Sequence, residues 1–334
     1  MSKAADLANL IGNINMGGGK GGRNMWINGA CTVAQRSTST SGLGDGNEGY
    51  VTVDRMRESG STLSAGRYTS AQSTDAPAGF ANSFHINCTT ADTSIAAGEL
   101  LFFGTRFEGQ NLQHLKKGSS EALPSVISFY MKTNKAFTFV VEVKDKDNSR
   151  DCHFQFTTST DWTRHEFTVP GDTTGAYDND NANSLDIHIW MHGGSTYTGG
   201  THTEGTWSSV TNANRAVGIG SFYDSTDNDV KMTGFQYEVG QNATEFEHED
   251  ISTTLSKCQR YFNKMSEQLY GGYGTDSAAD YATIWFPTEM RDDPTMTGVG
   301  TSNTAQAVSE EFAQCYRVGG YAVWSQDATA DAEL

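Results

Sequence analysis

The chain has 334 residues, with 23 Lys and Arg against 40 Asp and Glu and a formal net charge of −17. That balance excludes a nucleic-acid partner, because phosphates are neutralised by Lys and Arg. It also keeps a surface displayed in many copies soluble and self-repelling. No apolar run approaches the roughly 18 residues of a membrane-spanning helix, so no membrane insertion is expected. Residues 1–10 (MSKAADLANL) lack the basic start and apolar core of a signal peptide.

The first 24 residues read as an anchor. Leu7, Leu10 and Ile14 are spaced three then four apart, with Ile11 beside them. This is a seam barely two heptads long, shorter than a sustained coiled coil needs. Two readings stand: a helical turn lying on its own core, or an oligomerisation seam anchoring the chain on a larger particle. The following segment, MGGGKGGR at 16–23, has linker composition. A phosphate-binding reading fails there, because no strand precedes the glycines and no helix follows.

From Met25 onward the pattern is β. Short runs rich in Val, Ile, Phe, Tyr and Thr alternate with Gly/Asn/Asp/Ser/Thr turns. The runs are 50–53, 84–88, 100–107, 126–131, 137–143, 152–156, 162–169, 185–191, 216–222 and 230–239. In the clearest, Phe137, Phe139, Val141 and Val143 share one face. So many strands without a long helix between them predict an all-β, antiparallel jelly-roll sandwich over 25–249. Lys146-Asp147-Asn148 and Pro170-Gly171-Asp172 supply turns with a mechanism, fixed φ at Pro and easy positive φ at Gly or Asn. Around Asp250 the pattern changes. Asp250 caps a predicted helix carrying Leu255, Cys258 and Phe262, and strands at 270–273, 281–286, 295–299 and 320–324 then make a small C-terminal β domain, 250–334.

Chemistry is sparse. Cys31, Cys88, Cys152, Cys258 and Cys315 show no metal-like spacing and read as buried free thiols. No GxSxG occurs, and the acidic residues cluster in loops (145–147, 178–180, 224–229), so no enzymatic activity and no cofactor are expected. The DNDNAN segment at 178–183 departs from an EF-hand at its sixth and twelfth positions, which leaves only a looser oxygen cage for Ca²⁺ against an ordinary Asx-rich turn. His188, Trp190 and His192 fall on one strand face, read as solvated. The long loop 193–209 is bracketed by Tyr197 and Trp207, and Tyr270, Tyr273 and Tyr281 enrich the last domain. Aromatic faces flanked by Asn, Asp and Thr suit sugar rings, which makes Tyr197, Trp207, Tyr270 and Tyr273 the candidate glycan-facing residues.

Several segments carry a family resemblance. GFQYEVGQNATEFE at 234–247, followed by LSKCQRYF at 255–262, resembles a recurring signature of bacteriophage tail-fibre-like virion proteins. Gln113–Gly118 (QHLKKG) with Ile127-Ser128-Phe129-Tyr130, Trp162 with VPGDTTG at 169–175, and Asn24–Arg36 with its INGA and VAQR segments are similar to the same family in order. So is the closing Asp331-Ala332-Glu333-Leu334. The likeness spans about residues 24–261 and the end. It departs at Thr244-Glu245-Phe246, which lacks a usual proline, and at Phe235 and Tyr237, where Val and Leu are common.

The resemblance implies a virion structural protein, assembled in bacterial cytoplasm, with a carbohydrate-binding-module-like jelly roll and no catalytic residues. It implies frequent trimerisation, and with the N-terminal anchor reading a homotrimer held to another tail or capsid protein through that segment is expected. The expected role is a tail fibre or receptor-binding appendage contacting host-surface glycans. The alternative is a capsid decoration or head-appendage protein that stabilises the shell.

Overall fold

A computed structural model of the chain describes residues 22–265, 269–273, 279–299, 304–318 and 321–334. The anchor residues Leu7, Leu10, Ile11 and Ile14 lie outside the described residues. The chain divides into two compact units, with the boundary between Glu249 and Asp250.

The first unit is an antiparallel β-sandwich. Its strands are β1 (Ser39–Leu43), β2 (Asn47–Tyr50), β3 (Arg57–Ser61), β4 (Arg67–Ser73), β5 (Ser83–Thr90), β6 (Leu100–Glu108), β7 (Ser125–Thr133), β8 (Thr138–Asp145), β9 (Arg150–Thr157), β10 (Thr163–Val169) and β11 (Asn183–Gly193). After a one-turn helix α1 (Ser195–Thr198) come β12 (Ser208–Ser209) and β13 (Asp229–Val239). One sheet has the order β1-β4-β5-β13-β7-β10, the other β12-β9-β8-β11-β6-β3-β2. The chain crosses between sheets repeatedly, as a jelly roll requires.

Alternation decides which side chains meet between the sheets. Phe84, Ile86, Ile127, Phe129 and Phe235 come from one sheet, and Phe103, Phe139, Val141, Val143, Ile187 and Ile189 from the other, all in one buried cluster. All five cysteines are buried and free. Burial pushes the Cys31 and Cys152 thiols up to about 12.

In this unit β1, β3, β4 and β12 escape sequence reading, and the strand expected at 50–53 is instead β2, which ends at Tyr50. β1, β3 and β4 (STSGL, RESGS, RYTSAQS) are dominated by Ser, Thr, Gly and charge. β3 and β4 are joined through polar pairs inside the sandwich, where Glu58 accepts from Ser70, Tyr68 and Thr52. Conversely, 216–222 is not a strand. Ala216 is a buried member of a turn at 215–218, and Phe222 opens a short 3-10 helix, Phe222–Asp224, capped by the Ser221 hydroxyl.

The second unit opens with α2 (Ile251–Gln259). Asp250 caps it by accepting the Ser252 N–H at 2.8 Å. Then follow β14 (Phe262–Lys264), β15 (Leu269–Tyr273), β16 (Ala279–Trp285), β17 (Thr295–Val299), β18 (Thr304–Val308), β19 (Phe312–Val318) and β20 (Tyr321–Asp331). β20 pairs with β14, β15 and β17, and β16-β19-β18 forms a separate sheet. The core here is built of small residues: Ala282, Ile284, Ala313, Cys315, Ala322 and Ala328 with Met265.

Candidate functional site

Two surfaces could receive a ligand, and the structure treats them oppositely. The first is the outer face of the seven-stranded sheet. His188, Trp190 and His192 share it as the spacing predicts, yet all three are buried rather than solvated. The segment after β11 folds back over them. Ala216, Ile219 and Tyr197 join Leu100, Phe102, Val140 and Trp190 in a second apolar cluster on that side. Beneath it Glu142 collects Arg215 Nε at 2.6 Å, His188 Nδ1 at 2.9 Å and Trp190 Nε1 at 2.8 Å. Burial alone would raise the Glu142 pKa, but Arg215 and His188 hold it well below the usual carboxylate range. Burial lowers His188 and His192, the latter sitting between Ser221 and Glu99.

Tyr197 and Trp207 therefore pack on the sandwich. Tyr197 is half-buried with its ring 5.2 Å from Trp190 and near the Arg215 guanidinium. Trp207 is half-buried, donates Nε1–H to the Pro170 carbonyl at 2.7 Å and covers the Lys117 ammonium. The DNDNAN segment is a turn that uses its own oxygens: Asp180 Oδ1 accepts the Ala182 N–H, and its carbonyl accepts from Gln110.

The second surface, on the second unit, is open. β16 alternates strictly: Ala282 and Ile284 point into the core, while Tyr281, Thr283 and Trp285 point out. Trp285 is 69% exposed and Tyr281 45%. Antiparallel register with β19 places Phe312 opposite Trp285, Gln314 opposite Thr283 and Tyr316 opposite Tyr281. The Trp285 and Phe312 rings lie 5.1 Å apart, and the Tyr281 and Tyr316 rings 6.1 Å. Between the two pairs, Gln314 Nε2 donates to Thr283 Oγ1 at 2.8 Å. The result is two aromatic platforms separated by a hydrogen-bonding step, about 13 Å apart along the strand at ~3.3 Å per residue. Flat rings with polar groups between them offer stacking to an apolar sugar face and hydrogen bonds to its hydroxyls.

Sequence reasoning reached Tyr281 but not Trp285, Phe312 or Tyr316, because β19 carried no recognised strand signal. Period-2 alternation between 281 and 285 was the available clue. Tyr270 and Tyr273 lie on β15, paired with Val323 and Tyr321 of β20. Their side chains lie outside the described residues.

No protein-family profile matches the chain, and no curated protein matches it. Solved structures do. A family 11 carbohydrate-binding module of a cellulosomal cellulase of Clostridium thermocellum is 16% identical, with 63% of this chain and 98% of that one covered and a TM-score of 0.28. A family 30 carbohydrate-binding module is 12% identical over 65% of this chain and 96% of that one, with a TM-score of 0.31. The enzymatically active domain of tailspike protein 4 of bacteriophage CBA120 is 10% identical over 65% of this chain but only 21% of that one, with a TM-score of 0.32.

Proposed function

We propose that the chain is a non-enzymatic structural protein of a phage particle, a tail fibre or receptor-binding appendage that contacts host-surface glycans. Trp285 with Tyr281 carries this reading: both are exposed on one face, each backed by a second aromatic across the strand pair. A monomer has no internal reason to leave such a face open, and large exposed aromatic patches mark interaction sites. The ordered series of tail-fibre-like motifs supports the virion setting and a homotrimer attached through residues 1–24.

The test is binding of the full chain to glycan arrays and to purified host envelope polysaccharide. Wild type is expected to bind, and Trp285→Ala and Tyr281→Ala to lose binding while staying folded. Saturating protein that binds no envelope glycan, with virions that adsorb without it, overturns the reading. Copy number per virion separates the roles: a few tens or fewer fits a fibre, hundreds fit shell decoration.

A further inference from the structure

We infer that Glu142, Asp151 and His153 form a binding site for one divalent transition-metal ion of the Zn²⁺ class, on the covered face of the seven-stranded sheet. Register builds the cluster. Glu142 faces His153 directly across β8 and β9, and Asp151 sits two residues from His153 on the same face. One ligand atom from each lies within 4.8 Å of the others, and all three residues are buried.

Two of the same ligand atoms are among the buried side-chain atoms that make no hydrogen bond. Asp151 Oδ1 accepts the Ser208 hydroxyl at 3.2 Å, but Asp151 Oδ2 has no hydrogen-bond partner, and neither has His153 Nε2. Both side chains are at least nine-tenths buried. Glu142 Oε2 takes three donors, from His188, Trp190 and Arg215, while Oε1 takes Arg215 Nε alone. A carboxylate oxygen has two lone pairs, so Oε1 keeps one free. Buried polar atoms without partners are rare in folded proteins. Here two of them, with an incompletely used third, lie within 4.8 Å of one another.

The spacing suits a metal better than hydrogen bonds. His153 Nε2 is 3.4 Å from Asp151 Oδ2 and 3.9 Å from Glu142 Oε1. Ligands bound at about 2.0–2.2 Å in a tetrahedron stand about 3.4 Å apart. One imidazole and two carboxylates favour Zn²⁺ or its neighbours over Ca²⁺, which takes six to eight oxygens. Arg215 grips both oxygens of the Glu142 carboxylate and fixes its orientation, as outer partners of metal ligands do. The cover is tied down at the same place: Gly205 N–H donates to the His153 carbonyl at 2.9 Å, and β12 pairs Ser208 with Asp151.

The experiment uses the full chain, purified without chelator and also refolded with added Zn²⁺, then desalted. Elemental analysis is expected to find one equivalent of Zn²⁺ per chain. Co²⁺ loading is expected to give visible absorption bands of a low-symmetry four-coordinate site. His153→Ala and Asp151→Asn lose the metal and the bands, while His114→Ala, at an exposed position, keeps both. Should the two ligand variants fail to fold, the wild-type metal content and Co²⁺ spectrum decide alone. Refolded wild type with no stoichiometric Zn²⁺ and no Co²⁺ bands overturns the proposal and leaves the cluster a buried imidazole ring beside two carboxylates. Metal that persists in folded His153→Ala overturns it as well. Neither result depends on glycan binding.

Discussion

The Trp26 ring stacks on the Phe235 ring, centroids 4.8 Å apart and 16° from parallel. The contact joins the first and the last of the motif segments of the sandwich. Phe235 N–H donates to the Gly29 carbonyl at 2.9 Å, and the Asn24 side chain donates to the Phe235 carbonyl and accepts the Tyr237 N–H. Within the later motif, Glu238 takes the Thr244 N–H and hydroxyl and the Gln236 amide. These segments are ties that close the fold.

Gly29→Ala tests the first tie. A Cβ there would stand 2.0 Å from the Phe235 carbonyl oxygen, a backbone atom that cannot swing away. Overpacking of this kind costs about 1–3 kcal/mol. The expected result is a lower urea midpoint with an unchanged slope.

Lys117→Met tests the second. The Lys117 ammonium lies 2.6 Å from Asp145 and 3.2 Å from Asp172, and donates to the Thr174 and Gly175 carbonyls. It thus joins the QHLKKG segment to the VPGDTTG segment. Removing one member of a buried ion pair strands its partners, at about 3–5 kcal/mol. Chemical denaturation of the variant measures it.

Glu58 makes the sandwich sensitive to pH. Burial pushes its carboxyl from 4.5 up to about 7, against hydrogen bonds from Ser70, Tyr68 and Thr52 that pull it down. Between those values the native state holds a proton that the unfolded chain has released. Stability from this group is therefore full below about 4.5 and is lost as pH rises through about 7, by about 3 kcal/mol in all. A series of thermal midpoints from pH 4 to 8 should fall for wild type over that window, after allowance for other groups. The Glu58→Gln variant should show a flatter series and a higher midpoint at the alkaline end.

Two tryptophans should separate packing from recognition. Trp26 is buried and Trp285 is 69% exposed. Trp26→Ala should cost about 3–5 kcal/mol, whereas Trp285→Ala should shift stability by no more than about 0.5 kcal/mol. Parallel urea titrations check both values.

Much of the sandwich could be read from alternation, because strands such as 137–143 and 230–239 carry their core face in a period of two. β3 and β4 could not. Apart from Tyr68, their buried side chains, Glu58 and Ser70 among them, are polar, and only the fold brings these together across the core. The covered face of β11 was misread for a related reason. His188 and His192 look solvated until distant Arg215, Ser221 and Glu99 supply their partners or neighbours. On β16 the alternation was visible, but which side would stay open depended on Ala313, Cys315, Ala322 and Ala328 filling the other side. Tyr197 and Trp207 were legible as aromatics in a long loop, and their role as clamps on Trp190 and Lys117 was not.

The corner where the chain enters and leaves the sandwich sets how it responds to tension. Gly22 and Asn24 N–H groups donate to the Glu247 carboxylate at 3.0 and 2.8 Å, and Arg23 donates to the Glu245 carbonyl. Entry and exit are therefore clamped side by side, as the ends of an independently folding domain often are. A pull between the segment before Gly22 and the chain after Glu249 first loads this small clamp. The thirteen strands hang beside the line of force, and their hydrogen bonds are strained only after the clamp has given way.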